Sequence, residues 1–234
     1  MSSKLIVALD FPSSNEALAF VSKLSPVDCK LKVGFELFVS AGPEIVRRLT
    51  DKGFDIFLDL KFHDIPNTVA SVCKAAAQLD VWMMNVHASG GSEMLRAARE
   101  ALLNFDSSPK LIAVSVLTSM SDQQLQEIGV DVLAKEQVKH LAGLAKNAGL
   151  DGMVCSAQEA SLLREAFGDD FLLVTPGIRP QGADIGDQSR VMTPADAMRV
   201  GVDYIVVGRP ITQSPDPLAV IEGINKEMAE SLVE

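Results

Sequence analysis

Eight short aliphatic or β-branched runs punctuate the chain, at residues 5–9, 31–33, 55–60, 82–86, 111–116, 152–155, 171–174 and 204–207. Each ends in a polar residue or a glycine and leads into a stretch with helical period, so each reads as one strand followed by one helix. The runs recur every 28 residues on average (about one βα unit) with no linker or low-complexity segment between them. They are continuously apolar and do not alternate, as expected of strands covered on both faces. Eight such units predict a closed (β/α)8 TIM barrel, an α/β fold in one domain spanning residues 1–234. An open doubly wound sheet is the competing arrangement.

The helical stretches carry their own start signals. Ser13 and Ser14 precede the stretch from Asn15, Pro43 opens the one through Arg47, and Thr193-Pro194 repeats a cap-then-proline pattern. The longest interval follows the fifth run, and residues 176–186 after the seventh are rich in Gly and Pro with little helical period. In a barrel, long irregular loops of this kind lie over the active face.

Composition narrows the functional classes. The 234 residues are 47% hydrophobic and 22% charged, with a net charge of −10. Such an acidic chain is not expected to bind duplex nucleic acid, and one Trp and one Tyr make a poor stacking platform for single strands. No run approaches the roughly 18 apolar residues of a membrane span. The start of the chain has neither a basic flank nor a small-residue cleavage site, so no signal peptide is expected. Cys29, Cys73 and Cys155 are odd in number and widely spaced, which suits buried thiols in a reducing, cytoplasmic compartment.

The carboxyl ends of barrel strands converge on one mouth, and here those ends carry Asp10, Lys32, Asp59, Lys61, Asn85, His87, Thr118, Arg179 and Arg209. Charges inside apolar strands are costly unless paired. Asp59 and Lys61, two apart on one strand, are expected to face the barrel interior together, with Leu58 and Leu60 turned to the helices. A rim salt bridge is the simpler reading, but residues 57–62 are too apolar for an exposed rim. Lys30 and Lys32 share a parity; Lys32 lies nearer the mouth, and Lys30 is expected to reach toward the opposite end. Asp10 reads equally as a turn aspartate, and Asp64 or Asn67 as the cap of the helix begun at Pro66. His63 and His87 lack a further histidine at metal-ligand spacing and read as packed or supporting groups. Val207-Gly208-Arg209-Pro210 and Pro176-Gly177-Ile178-Arg179 end the last two strands, where barrels commonly hold phosphate.

Residues 57–68, running Phe-Leu-Asp-Leu-Lys-Phe-His-Asp-Ile-Pro-Asn-Thr, resemble the signature of the orotidine 5′-phosphate decarboxylase family, bacterial branch. Further matches follow in order: Val7-Ala8-Leu9-Asp10, Leu31-Lys32-Val33-Gly34, Val86-His87-Ala88-Ser89-Gly90-Gly91, Val116-Leu117-Thr118-Ser119, Thr175 through Pro180, and Val207 through Pro210. The Asp-x-Lys-x-x-Asp core is shared with a wider superfamily; with Ile65-Pro66-Asn67-Thr68 attached it is specific. The resemblance implies a carboxy-lyase that converts orotidine 5′-monophosphate to UMP without metal or organic cofactor. It implies a homodimer whose sites are shared across the interface. Lys32, Asp59 and Lys61 of one subunit and Asp64 of the other would form the catalytic charge array, with Lys61 as proton donor. Asp10 and Lys32 would hold the ribose, Thr68 would reach across with Asp64, and Thr118 or Ser119 would meet the pyrimidine. Gln188, Arg179, Gly208 and Arg209 would contact the nucleotide, Arg209 on phosphate. Two rivals stand beside this reading. One is a Mg²⁺-dependent sugar-phosphate enzyme of the same superfamily, which tends to carry Glu where this chain has Lys32. The other is a nucleotide sensor without turnover.

Overall fold

The computed structural model describes residues 3–180 and 192–231. Its eight strands are β1 (Leu5–Ala8), β2 (Lys30–Val33), β3 (Ile56–Phe62), β4 (Met83–His87), β5 (Lys110–Val114), β6 (Gly152–Val154), β7 (Leu172–Thr175) and β8 (Tyr204–Val207). All pair in parallel in chain order, and β8 closes on β1 through Leu5 opposite Ile205. The described residues thus form a (β/α)8 barrel, as the run spacing predicts. The helices used below are α1 (Ser14–Val21), α2 (Phe35–Ala41), α3 (Glu44–Thr50), α4 (Pro66–Ala77), α5 (Gly91–Glu100), α6 (Asp122–Glu127), α7 (Ala134–Asn147), α8 (Ala157–Phe167), α9 (Pro194–Arg199), α10 (Arg209–Thr212) and α11 (Pro217–Glu230). Among the described residues, no helix is long and apolar enough to cross a membrane.

The continuous apolar runs resolve into two layers because alternate side chains leave each strand on opposite faces. Ile6, Ala8, Phe57, Met83, Ile112, Val174 and Val206 fill the barrel interior. Their neighbours Leu5, Val7, Leu31, Leu58, Met84 and Val86 join the larger shell between barrel and helices. Cys29, Cys73 and Cys155 are free thiols buried in that shell, and burial pushes each thiol up to about 12. Helix starts follow their signals: the Ser13 and Thr193 hydroxyls accept the Glu16 and Asp196 N–H groups. Pro43 sits one residue before α3. α4 begins without a side-chain cap, so neither Asp64 nor Asn67 serves that purpose.

Aspartates bind the amino end of the barrel together. Asp151 precedes β6 and accepts the Leu111 N–H of β5 at 2.7 Å; Asp203 precedes β8 and accepts the Leu173 N–H of β7 at 2.8 Å. Arg99 and Arg164 neutralise these two carboxylates. Asp55, before β3, takes Lys30. Lys30 does point away from the mouth, but it is 5% exposed, with its ammonium paired to Asp55 and lying over the Trp82 ring, 4.5 Å from the centroid. Trp82 meets Tyr204 edge-on at 5.0 Å.

At Gly152 of β6 the backbone of β7 leaves no room for a side chain. A Cβ there would stand 2.2 Å from the Leu172 carbonyl oxygen, a backbone atom that cannot move aside. Gly152→Ala should therefore destabilise the barrel by about 1–3 kcal/mol in urea unfolding. Gly223→Ala, inside α11 with nothing within 4 Å of the new methyl, should stabilise it by about 0.5–1 kcal/mol. Equal effects at the two positions would contradict this account of β6.

Candidate active site

Four charged side chains from three neighbouring strands meet at the carboxyl end of the barrel. The Lys32 ammonium lies 3.4 Å from the Asp10 carboxylate and 3.3 Å from Asp59 Oδ2. Asp59 Oδ1 receives the Lys61 ammonium at 2.7 Å. The result is an alternating line, Asp10–Lys32–Asp59–Lys61, in which each lysine faces an acid. Exposure falls inward from the ends of the line: the side chains of Asp10 and Lys61 are 60% and 25% exposed, those of Asp59 and Lys32 only 13% and 12%. Lys61 is nearer the mouth than Asp59, as the sequence implies.

How Asp59 and Lys61 come to share the interior differs from simple strand alternation. Phe57 and Leu58 pair with Met83 and Met84, but the next pairing is Phe62 with Val86. Four steps along β3 therefore match two along β4, and β3 bulges at the residues that carry the charges. Lys61 takes up the turn with φ +46°, a left-handed conformation costing a lysine about 1–2 kcal/mol. Its N–H, displaced from the ladder, donates to Asn85 Oδ1 at 2.7 Å. Asn85 Nδ2 donates to Asp59 Oδ1 at 2.7 Å.

The line opens on a cavity of about 200 Å³ whose walls include Phe57, Val114, Thr118, Val154, Val174 and Pro176. Fixed charges on one side and apolar walls on the other suit a small flat molecule with a negative group directed at the lysines. A more open groove of about 520 Å³ lies against α6, α7 and α8. Its acids are already engaged: Asp122 accepts the Ala134 N–H, and Glu159 accepts the Ser156 N–H in a capping box. The barrel mouth is the better reaction site.

Of the remaining expected residues, Thr118 lines the cavity with Lys32, Asp59 and Lys61. Gly208 lies beside Asp10, since a Cβ added there would come 3.5 Å from Asp10 Oδ2. Arg179 is buried after β7, with Nη1 donating to the Ile178 carbonyl at 3.0 Å. Arg209 is exposed as the first residue of α10. Gln188 lies outside the described residues. Asp64 and Thr68 are exposed, and among the described residues the Asp64 carboxylate accepts only the adjacent Ile65 N–H, at 2.6 Å. No ion pair among the described residues joins Asp64 to the charged line.

Two site residues have no assigned part in the sequence reading. Asn85 is fully buried; its signal is a single amide within the apolar run Trp82–Val86. Phe35 is 54% exposed with its ring centroid 5.3 Å from the Lys61 ammonium, a large apolar side chain placed directly after Gly34. The His63 and His87 rings meet at a tilt of 34°, with centroids 5.5 Å apart. Burial, then the neighbouring His63 and Lys61, hold the His87 imidazole below its ordinary 6.5. The unfolded chain therefore takes up a proton that the folded imidazole resists, and His87 should cost stability as pH falls below about 6.5. The expected outcome is a smaller loss of unfolding free energy between pH 7.5 and 5.5 in His87→Gln than in wild type. An identical loss in both would remove His87 as a contributor.

Comparison with known proteins places this geometry. The sequence model of the orotidine 5′-phosphate decarboxylase / HUMPS family matches residues 3–224. The chain is 60% identical over 227 residues to an orotidine 5′-phosphate decarboxylase of Pseudoalteromonas atlantica, covering 97% of this chain and 98% of the relative. It is 57% identical to that of Aliivibrio fischeri, covering 98% of each. The crystal structure of orotidine 5′-phosphate decarboxylase from Lactobacillus acidophilus superposes with a TM-score of 0.87 at 45% identity, over 97% of this chain and 99% of that one.

Proposed function

The chain belongs to the orotidine 5′-phosphate decarboxylase / HUMPS family, and from that premise we propose that it decarboxylates orotidine 5′-monophosphate to UMP, the last step of pyrimidine nucleotide synthesis, in the cytoplasm. The observation that carries this reading is the Asp10–Lys32–Asp59–Lys61 line opening on the barrel cavity. Loss of CO₂ from C6 of the pyrimidine leaves an electron pair in an orbital in the ring plane, which the π system cannot spread. A cation fixed beside C6 stabilises that pair, and Lys61 then delivers its proton to the carbon. Asp59, 2.7 Å away, fixes the ammonium, and Lys32 balances the carboxylate from its other oxygen.

The remaining residues divide the substrate between them. Asp10 and Lys32 hold the ribose hydroxyls, and Thr118 meets the pyrimidine edge. Arg209 takes the phosphate, Gly208 and Arg179 contact the nucleotide, and Gln188, outside the described residues, is proposed to bridge phosphate and base. Phosphate binding is remote from the reacting carbon and lends its energy to orienting the ring. The net charge of −10 would repel such an anion, so the cations at the mouth must focus the field locally. A divalent metal has no attractive seat here, because an ammonium already faces each Asp59 oxygen.

The same reading takes the protein to be a homodimer with Asp64 and Thr68 contributed across the interface. Its support is that both are exposed and that no ion pair among the described residues joins Asp64 to the charged line. Exposed apolar residues stand at the same mouth: Ile65 adjoins Asp64, and Phe35, four residues before the exposed Val39 on α2, faces the Lys61 ammonium. A two-fold partner covering this surface would bury the apolar residues and deliver Asp64 reciprocally.

The direct test is loss of orotidylate absorbance with stoichiometric CO₂ release by the purified protein. Lys61→Ala should abolish turnover while UMP binding survives, since Lys61 acts on the developing carbanion. Near-normal turnover with unchanged KM would refute the proton-donor role. For the shared site, inactive Lys61→Ala and Asp64→Ala proteins should be mixed under subunit exchange. About half the dimers are then mixed, each with one intact site, and roughly a quarter of wild-type activity returns. No recovery would mean that Asp64 serves its own subunit.

A further inference from the structure

Among the described residues, the side chain of Asn85 hydrogen-bonds both halves of the Asp59–Lys61 pair. Its Nδ2 donates to the same Asp59 oxygen that receives the Lys61 ammonium, and its Oδ1 accepts the Lys61 main-chain N–H, each at 2.7 Å. The orientation of the amide is settled by its partners, because a carboxylate only accepts and an N–H only donates. Asn85 is fully buried on β4, the strand against which β3 bulges. Lys61 stands at φ +46° where the ladder is interrupted, and the Asn85 carbonyl replaces the lost ladder acceptor. One carboxamide thus anchors the root of the Lys61 side chain and the carboxylate that steers its tip.

We infer that Asn85 is a positioning residue for the proton-donating lysine: it holds the left-handed turn at Lys61 and the Asp59 carboxylate in one rigid unit, so that the ammonium is fixed before substrate arrives. This rests on the decarboxylase reading above. Asn85 lies outside the group of cavity-lining residues and acts through Asp59 and Lys61. Apolar filling of the same space would leave the Lys61 N–H and one Asp59 lone pair without partners in a buried setting. A displacement of about 1 Å at a reacting group costs on the order of 100-fold in rate.

The experiment measures orotidylate turnover and UMP binding in wild type, Asn85→Ala and Asn85→Asp. Asn85→Ala should lose on the order of 100-fold in kcat per folded site, with UMP, which lacks the reacting carboxyl, bound as tightly as before. Asn85→Asp retains the shape and the acceptor for the Lys61 N–H but sets a second carboxylate against Asp59. Lys32 and Lys61 flank Asp59 directly, so a shared proton resides on the new carboxyl and restores the donor. The Asn85→Asp rate per folded site should therefore rise, relative to wild type, as pH falls; protonation that only restored stability would raise the folded fraction and leave the rate per folded site unchanged. An Asn85→Asp enzyme with the wild-type pH profile, or an Asn85→Ala enzyme of undiminished kcat, would overturn the role of Asn85 and leave the decarboxylase reading standing. If Asn85→Ala does not fold, the Asn85→Asp pH profile decides alone. A folded wild type that binds UMP but releases no CO₂ would overturn the decarboxylase reading itself, and this role with it.

Discussion

A carboxylate buried in a barrel must be compensated on every side, and Asp59 is the point at which this protein meets that demand. Taking one ion out of water costs several kcal/mol (roughly) even after relaxation, and removing a single partner from a buried pair is more damaging than never having the pair. Asp59 has three partners within 3.3 Å: two ammoniums and an amide. Among the described residues no buried side-chain nitrogen or oxygen is left without a bond. The surrounding design follows from this. The barrel supplies three adjacent strands whose ends bring the groups together, and β3 gives up regular pairing with β4 so that Lys61 can reach in.

The two ends of the barrel handle charge in opposite ways. At the amino end, Asp151 and Asp203 are consumed by neighbouring strand N–H groups and by arginines, and Lys30 is closed between Asp55 and Trp82. Those charges stitch neighbouring strands together. At the carboxyl end, Lys32 and Lys61 are paired yet remain on the wall of a cavity. Pairing there holds the cations still without hiding them, which is the condition for acting on charge that appears only during a reaction. Sequence alone does not distinguish Lys30 from Lys32 by type; their difference is one of depth along a strand.

The exposed apolar side chains around Lys61 belong to the same logic. Phe35 covers the Lys61 ammonium from one side at 5.3 Å, and Ile65 stands beside Asp64. Apolar groups at the edge of a charged site exclude water from it once covered, and the strength of each ion pair rises as water leaves. The proposed two-fold partner would supply that cover and a further carboxylate together.

Much of this was legible in the chain. Eight apolar runs at regular spacing determine eight strands and, with both faces buried, a parallel barrel; the observed strands differ from the runs by at most two residues at their ends. The motif residues also indicate which charged side chains meet at the mouth, because charges in apolar strands have few places to go. Tertiary structure decided the rest. Alternation implied that Asp59 and Lys61 share a face, but the bulge and the left-handed Lys61 depend on how β3 meets β4, which no local pattern encodes. Asn85 stood in the sequence as one amide in an apolar strand, and its partners lie 24 and 26 residues away. Likewise the aspartate stitches at the amino end join strands through residues 30 to 40 positions apart. Local sequence sets period, burial and residue type; pairing between distant strands sets where each polar atom finds its partner, and the site is made of those pairings.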